Sequence, residues 1–113
     1  MTGDELAGLL RRGDVVLLDV RTDEEYEGRS GYPCDPRQGH IPGAVNVELD
    51  ALFAARDGVR RLLEERGVDP NGRIVAYCHS GSRSEIAAAL LRKAGLEAVN
   101  YAGSWHEWSR RPE

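Results

Sequence analysis

Residues 73–95 read RIVAYCHSGSRSEIAAALLRKAG, and the order of residue types along this stretch decides the fold. The apolar run at 73–77 has the length of one strand and no polar alternation, so it predicts a strand buried on both faces, as in a parallel sheet. Short and polar residues follow, CHSGSRS at 78–84. The spacing over 83–94 then predicts a helix with Ile86, Leu90, Leu91 and Ala94 on one side and Gly95 as its stop. Strand, tight loop and helix in immediate succession form one half of a βαβ unit.

The rest of the chain repeats that alternation. VVLLDV at 15–20 predicts a second buried strand, AVNV at 44–47 a third, and residues 97–101 a weaker fourth. A helix over 4–12 has Asp4 or Thr2 as its cap, Leu6, Leu9 and Leu10 on one face, and Gly13 at its end. Thr22 and Glu25 have capping-box spacing and predict a helical turn reaching about Tyr26. Residues 28–43 carry Gly, Pro, Ser and Asp too densely for regular structure and predict a long loop, and loops of that length in small domains often serve function. A helical region follows from about 50 to 66, broken by Gly67, Pro70, Asn71 and Gly72. Strands alternating with helices imply a three-layer α/β domain over 1–113, with right-handed crossovers covering both faces of a parallel sheet.

Composition excludes several function classes. The 113 residues are 41% hydrophobic and 30% charged, with a net charge of -4 and basic residues scattered among acidic ones. That balance predicts neither nucleic acid nor an anionic membrane surface as a partner. The opening MTGDELAGLL predicts no signal peptide, and the location expected is cytoplasmic. Two cysteines, Cys34 and Cys78, are too few for a disulfide framework. No closely spaced Cys/His set predicts zinc, and no cofactor is expected.

Cys78 stands where ligands bind in such folds, beyond the carboxyl end of a strand and ahead of a helix. His79, Ser80, Gly81 and Ser82 are compact enough for their N–H groups to turn inward as an anion nest, and Gly81 lacks the Cβ that would obstruct the turn. Arg83 adds a fixed charge, while Ser82 and Ser84 add hydroxyls. A free thiol with a pKa of about 8.5 is only a few per cent thiolate at neutral pH. Lowering it by about two units takes roughly 2.7 kcal/mol. A helix terminus supplies ~0.3–1 kcal/mol, so several N–H···S bonds together with Arg83 are needed. The loop predicts a reactive thiolate rather than an inert core cysteine.

Four segments in order, LLDVRT at 17–22, GHIPGAVNV at 39–47, YCHSGSRS at 77–84 and YAGSWHEWS at 101–109, resemble the rhodanese (sulfurtransferase) family over nearly the whole chain. The resemblance implies a parallel sheet of about five strands flanked by helices. It implies that Cys78 takes a sulfane sulfur from thiosulfate or a similar donor, becomes a persulfide held by the amides of His79 to Ser84, and passes the sulfur to cyanide or a thiol. A partner protein carrying a persulfide is the other source or destination to weigh, in a carrier or regulatory module with little turnover on small donors. Phosphatases that share the fold place arginine six positions after the cysteine. Arg83 follows Cys78 by five, and one residue fewer shortens the ring by up to ~3.5 Å, which suits sulfur better than a phosphate. Two-domain members place a substrate-binding arginine just before a tyrosine after the first strand, where this chain has Glu25 before Tyr26. Arg83, Arg29 or Arg37 is the candidate replacement, and thiosulfate the favoured donor in vitro.

The periphery of the expected site comprises Asp19, Arg21, Cys34, Arg37 and Trp105. Asp19 and Arg21 read best as an ion pair fixing loops, His40 as a local hydrogen bonder, His79 as a solvent-facing side chain, and Trp105 and Trp108 as packing aromatics. Cys34, in RSGYPCDPRQ, is either a plain loop thiol or a resolving partner for the Cys78 persulfide.

Overall fold

The computed structural model describes residues 1–112. Helix α1 spans Gly3–Arg12, and Thr2 rather than Asp4 caps it: the Thr2 hydroxyl accepts from Glu5 N–H while the Glu5 carboxylate accepts from Thr2 N–H. Strand β1 covers Val16–Asp19, followed by α2 at Asp23–Glu27, whose Thr22/Glu25 capping box forms as its spacing requires. After the irregular stretch 28–43 come β2 (Val45–Asn46) and α3 (Leu49–Ala55). The helical region expected from about 50 to 66 forms as two helices with a break between them. Arg56 sits at φ 51 and Arg56–Gly58 form a single 3-10 turn before α4 resumes at Val59–Glu65. Strand β3 (Ile74–Tyr77), helix α5 (Ser82–Lys93), strand β4 (Ala98–Asn100) and helix α6 (Ser104–Trp108) complete the chain.

The four strands are all parallel in the order β2-β1-β3-β4, with Val16 opposite Ile74 and Ile74 opposite Ala98. The sheet therefore has four strands among the described residues, not about five. Among the described residues, the stretch ahead of β1 forms the capped helix α1. Strand parity divides the core. Leu17, Val75 and Tyr77 face α1 and the aromatic wall of Tyr101, Trp105 and Trp108. Leu18, Ile74 and Ala76 face the other way, onto Leu52, Leu63, Ala87, Ala88 and Leu91. Cys78 continues this second parity and points beneath α5.

Helix α5 is rotated from the expected face. Ser84, Ala87, Ala88 and Leu91 are buried, whereas Ile86 is 48% exposed and Ala94 also lies at the surface. Residues 84, 87, 88 and 91 form the i, i+3, i+4, i+7 stripe, and Ser84 has to face inward because it contacts Cys78.

The order of strands sets a switch point between β1 and β3. The chain leaves β1 toward β2 on one side and returns to β3 on the other, so the connections after β1 and β3 diverge at the carboxyl edge. Cys78 is the first residue beyond β3, at that point of divergence.

Candidate active site

Cys78 is 1% exposed and its sulfur lies against the first turn of α5. It accepts hydrogen bonds from Gly81 N–H at 3.1 Å, Ser84 N–H at 3.4 Å and the Ser84 hydroxyl at 3.3 Å. Burial works against ionisation and is the largest influence on the thiol. The Ser84 hydroxyl and the N–H groups of Ser84, Gly81 and Ser80 outweigh it, so the net shift is downward.

Gly81 is required twice over. Its φ of +98° lies in the left-handed region, and a Cβ there would stand 2.6 Å from the Ala102 carbonyl oxygen. Asn100 Nδ2 donates to the Gly81 carbonyl at 3.1 Å, which holds the peptide so that its N–H faces the sulfur. On the far side, α6 grips the backbone of the loop. Trp105 N–H donates to the Cys78 carbonyl and His106 N–H to the His79 carbonyl, both at 2.9 Å. Ser104, at φ 54, accepts Cys78 N–H on its hydroxyl at 3.0 Å and donates that hydroxyl to the Tyr101 carbonyl at 2.8 Å. Ser104, Asn100 and His106 lie 22 to 28 residues downstream of Cys78, and nothing in their local pattern marks them as part of the loop.

Arg83 is not aimed at the sulfur. Its guanidinium forms a two-pronged pair with Glu25, Nη1 to Oε1 at 2.8 Å and Nη2 to Oε2 at 3.1 Å. Burial alone would push the Glu25 carboxyl up, but Arg83 and Thr22 hold it down to about 2. The position before Tyr26 thus carries the carboxylate that neutralises the loop's own arginine. Arg29 pairs with Asp23, and Arg37 Nη2 donates to the Trp108 carbonyl at 3.1 Å.

Asp19 and Arg21 form a fully buried pair rather than a rim. Arg21 Nη2 meets Asp19 Oδ2 at 2.8 Å and donates to the Gly39 carbonyl at 2.6 Å, tying β1 to the GHIPGA turn. The Arg21 guanidinium also lies over the Tyr77 and Trp105 rings, at 5.6 and 5.3 Å. His40 stacks on Tyr26 at 3.8 Å and pairs with the Tyr26 carbonyl at 2.8 Å. Trp105 packs in the core and donates Nε1–H to the Arg37 carbonyl at 3.1 Å.

His79 departs from expectation. Its side chain is buried instead of solvent-facing: Nε2 lies 2.9 Å from Asp35 Oδ2 and the ring stacks on Tyr32 at 3.6 Å. The reason lies in the 28–43 loop, which folds back over the residue after the cysteine. Arg110 secures that loop through Asp35 Oδ1 at 2.9 Å and the Cys34 carbonyl at 3.0 Å. Cys34 itself is exposed. The fold gathers Cys34, Asp35, His79 and His106 into one group of metal-competent donors, which sequence spacing conceals because the partners lie on three separate segments.

A family model described as rhodanese-like domain matches residues 2–111. The chain is 35% identical over 97% of its length to a thiosulfate sulfurtransferase of Azotobacter vinelandii, and covers 42% of that protein. It is 36% identical over 88% of its length to the sulfur carrier protein TtuD of Thermus thermophilus, covering 40% of it. The chain thus spans about two fifths of the length of these relatives. Among solved structures, the human single-domain sulfurtransferase TSTD1 superposes with a TM-score of 0.73 at 29% identity, across 100% of this chain and 96% of that one. No helix among the described residues is long and apolar enough to cross a membrane.

Proposed function

Since the chain belongs to the rhodanese-like domain family, we propose that it is a sulfurtransferase that carries sulfane sulfur on Cys78. The observation that carries this reading is the convergence of three donors on one sulfur, from Gly81 and twice from Ser84. Such donors favour a thiolate over a thiol, and the same donors suit the sulfur of a persulfide. In the first step the Cys78 thiolate attacks the outer sulfur of thiosulfate, the S–S bond breaks, and sulfite leaves with the electron pair. In the second, cyanide or an acceptor thiolate attacks the terminal sulfur, and the Cys78 thiolate is released. Both steps are displacements at sulfur that need no outside oxidant or reductant. Cys78 is buried, and thiosulfate offers it a terminal sulfur where a phosphate ester would need its central phosphorus brought to the thiolate, which supports sulfur as the electrophile.

The Glu25–Arg83 pair favours a second reading for the source of the sulfur. A dianion such as thiosulfate meets a loop arginine whose charge a carboxylate already balances. A protein persulfide presents less charge, and a carrier receiving sulfur from such a partner would gain from this neutral rim.

Intact mass after incubation of the reduced protein with thiosulfate tests the main reading. One added sulfur, removed by cyanide and absent in Cys78→Ser, is the expected result. No added sulfur, together with cleavage of an aryl phosphate, would falsify it. Loading by a persulfidated protein but not by thiosulfate selects the carrier reading.

A further inference from the structure

A second thiol lies among metal-binding side chains beside the cradle. Cys34 and Asp35 come from the 28–43 loop, His79 follows Cys78, and His106 stands on α6. One ligand atom from each lies within 4.8 Å of all the others. Asp35 Oδ2 is 2.9 Å from His79 Nε2, and Asp35 Oδ1 is 3.6 Å from His106 Nδ1 and 3.9 Å from Cys34 Sγ. Bonds of about 2.0–2.3 Å at tetrahedral angles space donors roughly 3.3–3.7 Å apart. The separations from the two Asp35 oxygens run from 2.9 to 3.9 Å and no pair among the four donor atoms exceeds 4.8 Å, so binding draws the side chains inward to close the polyhedron.

We propose that Cys34, Asp35, His79 and His106 form a binding site for a thiophilic divalent cation of the zinc type. One thiolate, one carboxylate and two imidazoles make a donor set of intermediate softness, suited to zinc or cobalt and unsuited to magnesium or calcium. The thiolate and carboxylate set two negative charges against the ion's two positive ones and the guanidinium of Arg110, which pairs with Asp35.

The surroundings already orient these donors, as outer contacts do in metal sites. The Asp35 side chain is completely shielded from solvent, and Arg110 Nη1 takes one lone pair of Oδ1 while another stays available. Tyr32 stacks on one face of His79, and the His106 ring meets His79 edge-on at 5.6 Å. On binding, His79 directs the Nε2 lone pair to the ion and keeps its proton on Nδ1, and Cys34 releases its proton to solvent. The ion then joins the long loop, the cradle and α6 at one point, adjacent to Cys78. It also occupies the Cys34 sulfur, so the thiol does not serve as a resolving partner while metal is bound.

This inference uses no part of the sulfur-transfer reading, and its test needs no turnover. Reduced Cys78→Ser protein, which removes the cradle thiol as a competing ligand, is titrated with Co2+ and then with Zn2+ against a chromophoric chelator. One equivalent is expected, with intense visible bands of tetrahedral cobalt and a thiolate-to-cobalt charge-transfer band. Cys34→Ser in that background removes the charge-transfer band, and His106→Ala weakens Zn2+ binding by about a hundredfold. Thermal melts of both variants establish that they fold. Zn2+ raises the melting temperature of the parent and not of either variant. A pale octahedral cobalt spectrum in the parent overturns the proposal, as does Zn2+ affinity unchanged by both substitutions. Should a variant fail to fold, the parent's charge-transfer band alone decides, since Cys34 is then the remaining thiol.

Discussion

The two cysteines of this chain lie in opposite kinds of environment. Cys78 sits in a loop where donors three and six residues ahead reach its own sulfur, and Cys78, Gly81 and Ser84 are all buried. Cys34 is exposed on a loop that has no regular structure and is held by side chains from elsewhere: Tyr32 on His79, Asp35 on His79, Arg110 on Asp35. The first environment is built by backbone geometry and tolerates little change. The second is built by side-chain pairs, each of which can be lost singly. A reactive thiolate needs the former, because N–H groups placed by a helix terminus cost no side-chain entropy to hold in place.

That contrast is open to attack, beginning where the effect is greatest. Gly81→Ala forces a Cβ to within 2.6 Å of the Ala102 carbonyl at a left-handed φ, and should cost about 3 kcal/mol in denaturant unfolding. A loss below about 1 kcal/mol would mean that the cradle backbone is pliable after all. Ser84→Ala removes a hydroxyl donor at 3.3 Å and leaves the Gly81 N–H in place. A hydrogen bond to a charged group is worth ~1.5–3 kcal/mol, so the alkylation rate of Cys78 at neutral pH should fall by about tenfold or more. An unchanged rate would assign the thiolate to the amides alone.

Glu25→Gln probes the link between α2 and the cradle. Glu25 is held at about 2 in the folded state, against roughly 4.3 in an unfolded chain. A depressed carboxyl contributes stability above its unfolded pKa and loses it as pH falls through the folded one. The wild type should therefore exceed Glu25→Gln by about 1 kcal/mol at neutral pH, a figure reduced by solvent screening. The gap should close between about pH 4.5 and pH 2, as followed by thermal melts. A gap independent of pH would mean that the pair does not hold the carboxylate. The smallest effect belongs to the exposed loop: Tyr32→Ala removes one stacked ring and should cost ~0.5–1 kcal/mol, with faster proteolysis between residues 29 and 38. A larger loss would show that the loop is part of the core's cooperative unit.

Legibility in the sequence follows the same division. The strand at 73–77 and the helix after it are readable because their causes are local: an apolar run and a helical period. Both threonine capping boxes were readable for the same reason. What escaped was set by partners far along the chain. Ile86 was placed on the buried face from hydropathy, but the rotation of α5 is set by Ser84 meeting Cys78, a tertiary contact. His79 was expected in solvent because Asp35, 44 residues earlier, is not a local neighbour. Sequence alone aims Arg83 at the thiolate because its counterion Glu25 lies 58 residues away. The break at Arg56 has no proline and only one glycine near it to announce it.

The grip of α6 on the cradle also sets a schedule. The carbonyls of Cys78 and His79 are held by N–H groups of residues 105 and 106, and Cys78 N–H by the hydroxyl of residue 104. A nascent chain that has emerged as far as β4 therefore carries β3, the cysteine and α5 without the backbone lock behind them. Chains grow at roughly 5–20 residues per second, so the sulfur spends a second or so of synthesis in an unfinished pocket. The backbone of the loop is locked only when the α6 segment emerges, which couples completion of the Cys78 cradle to the closure of the domain around it.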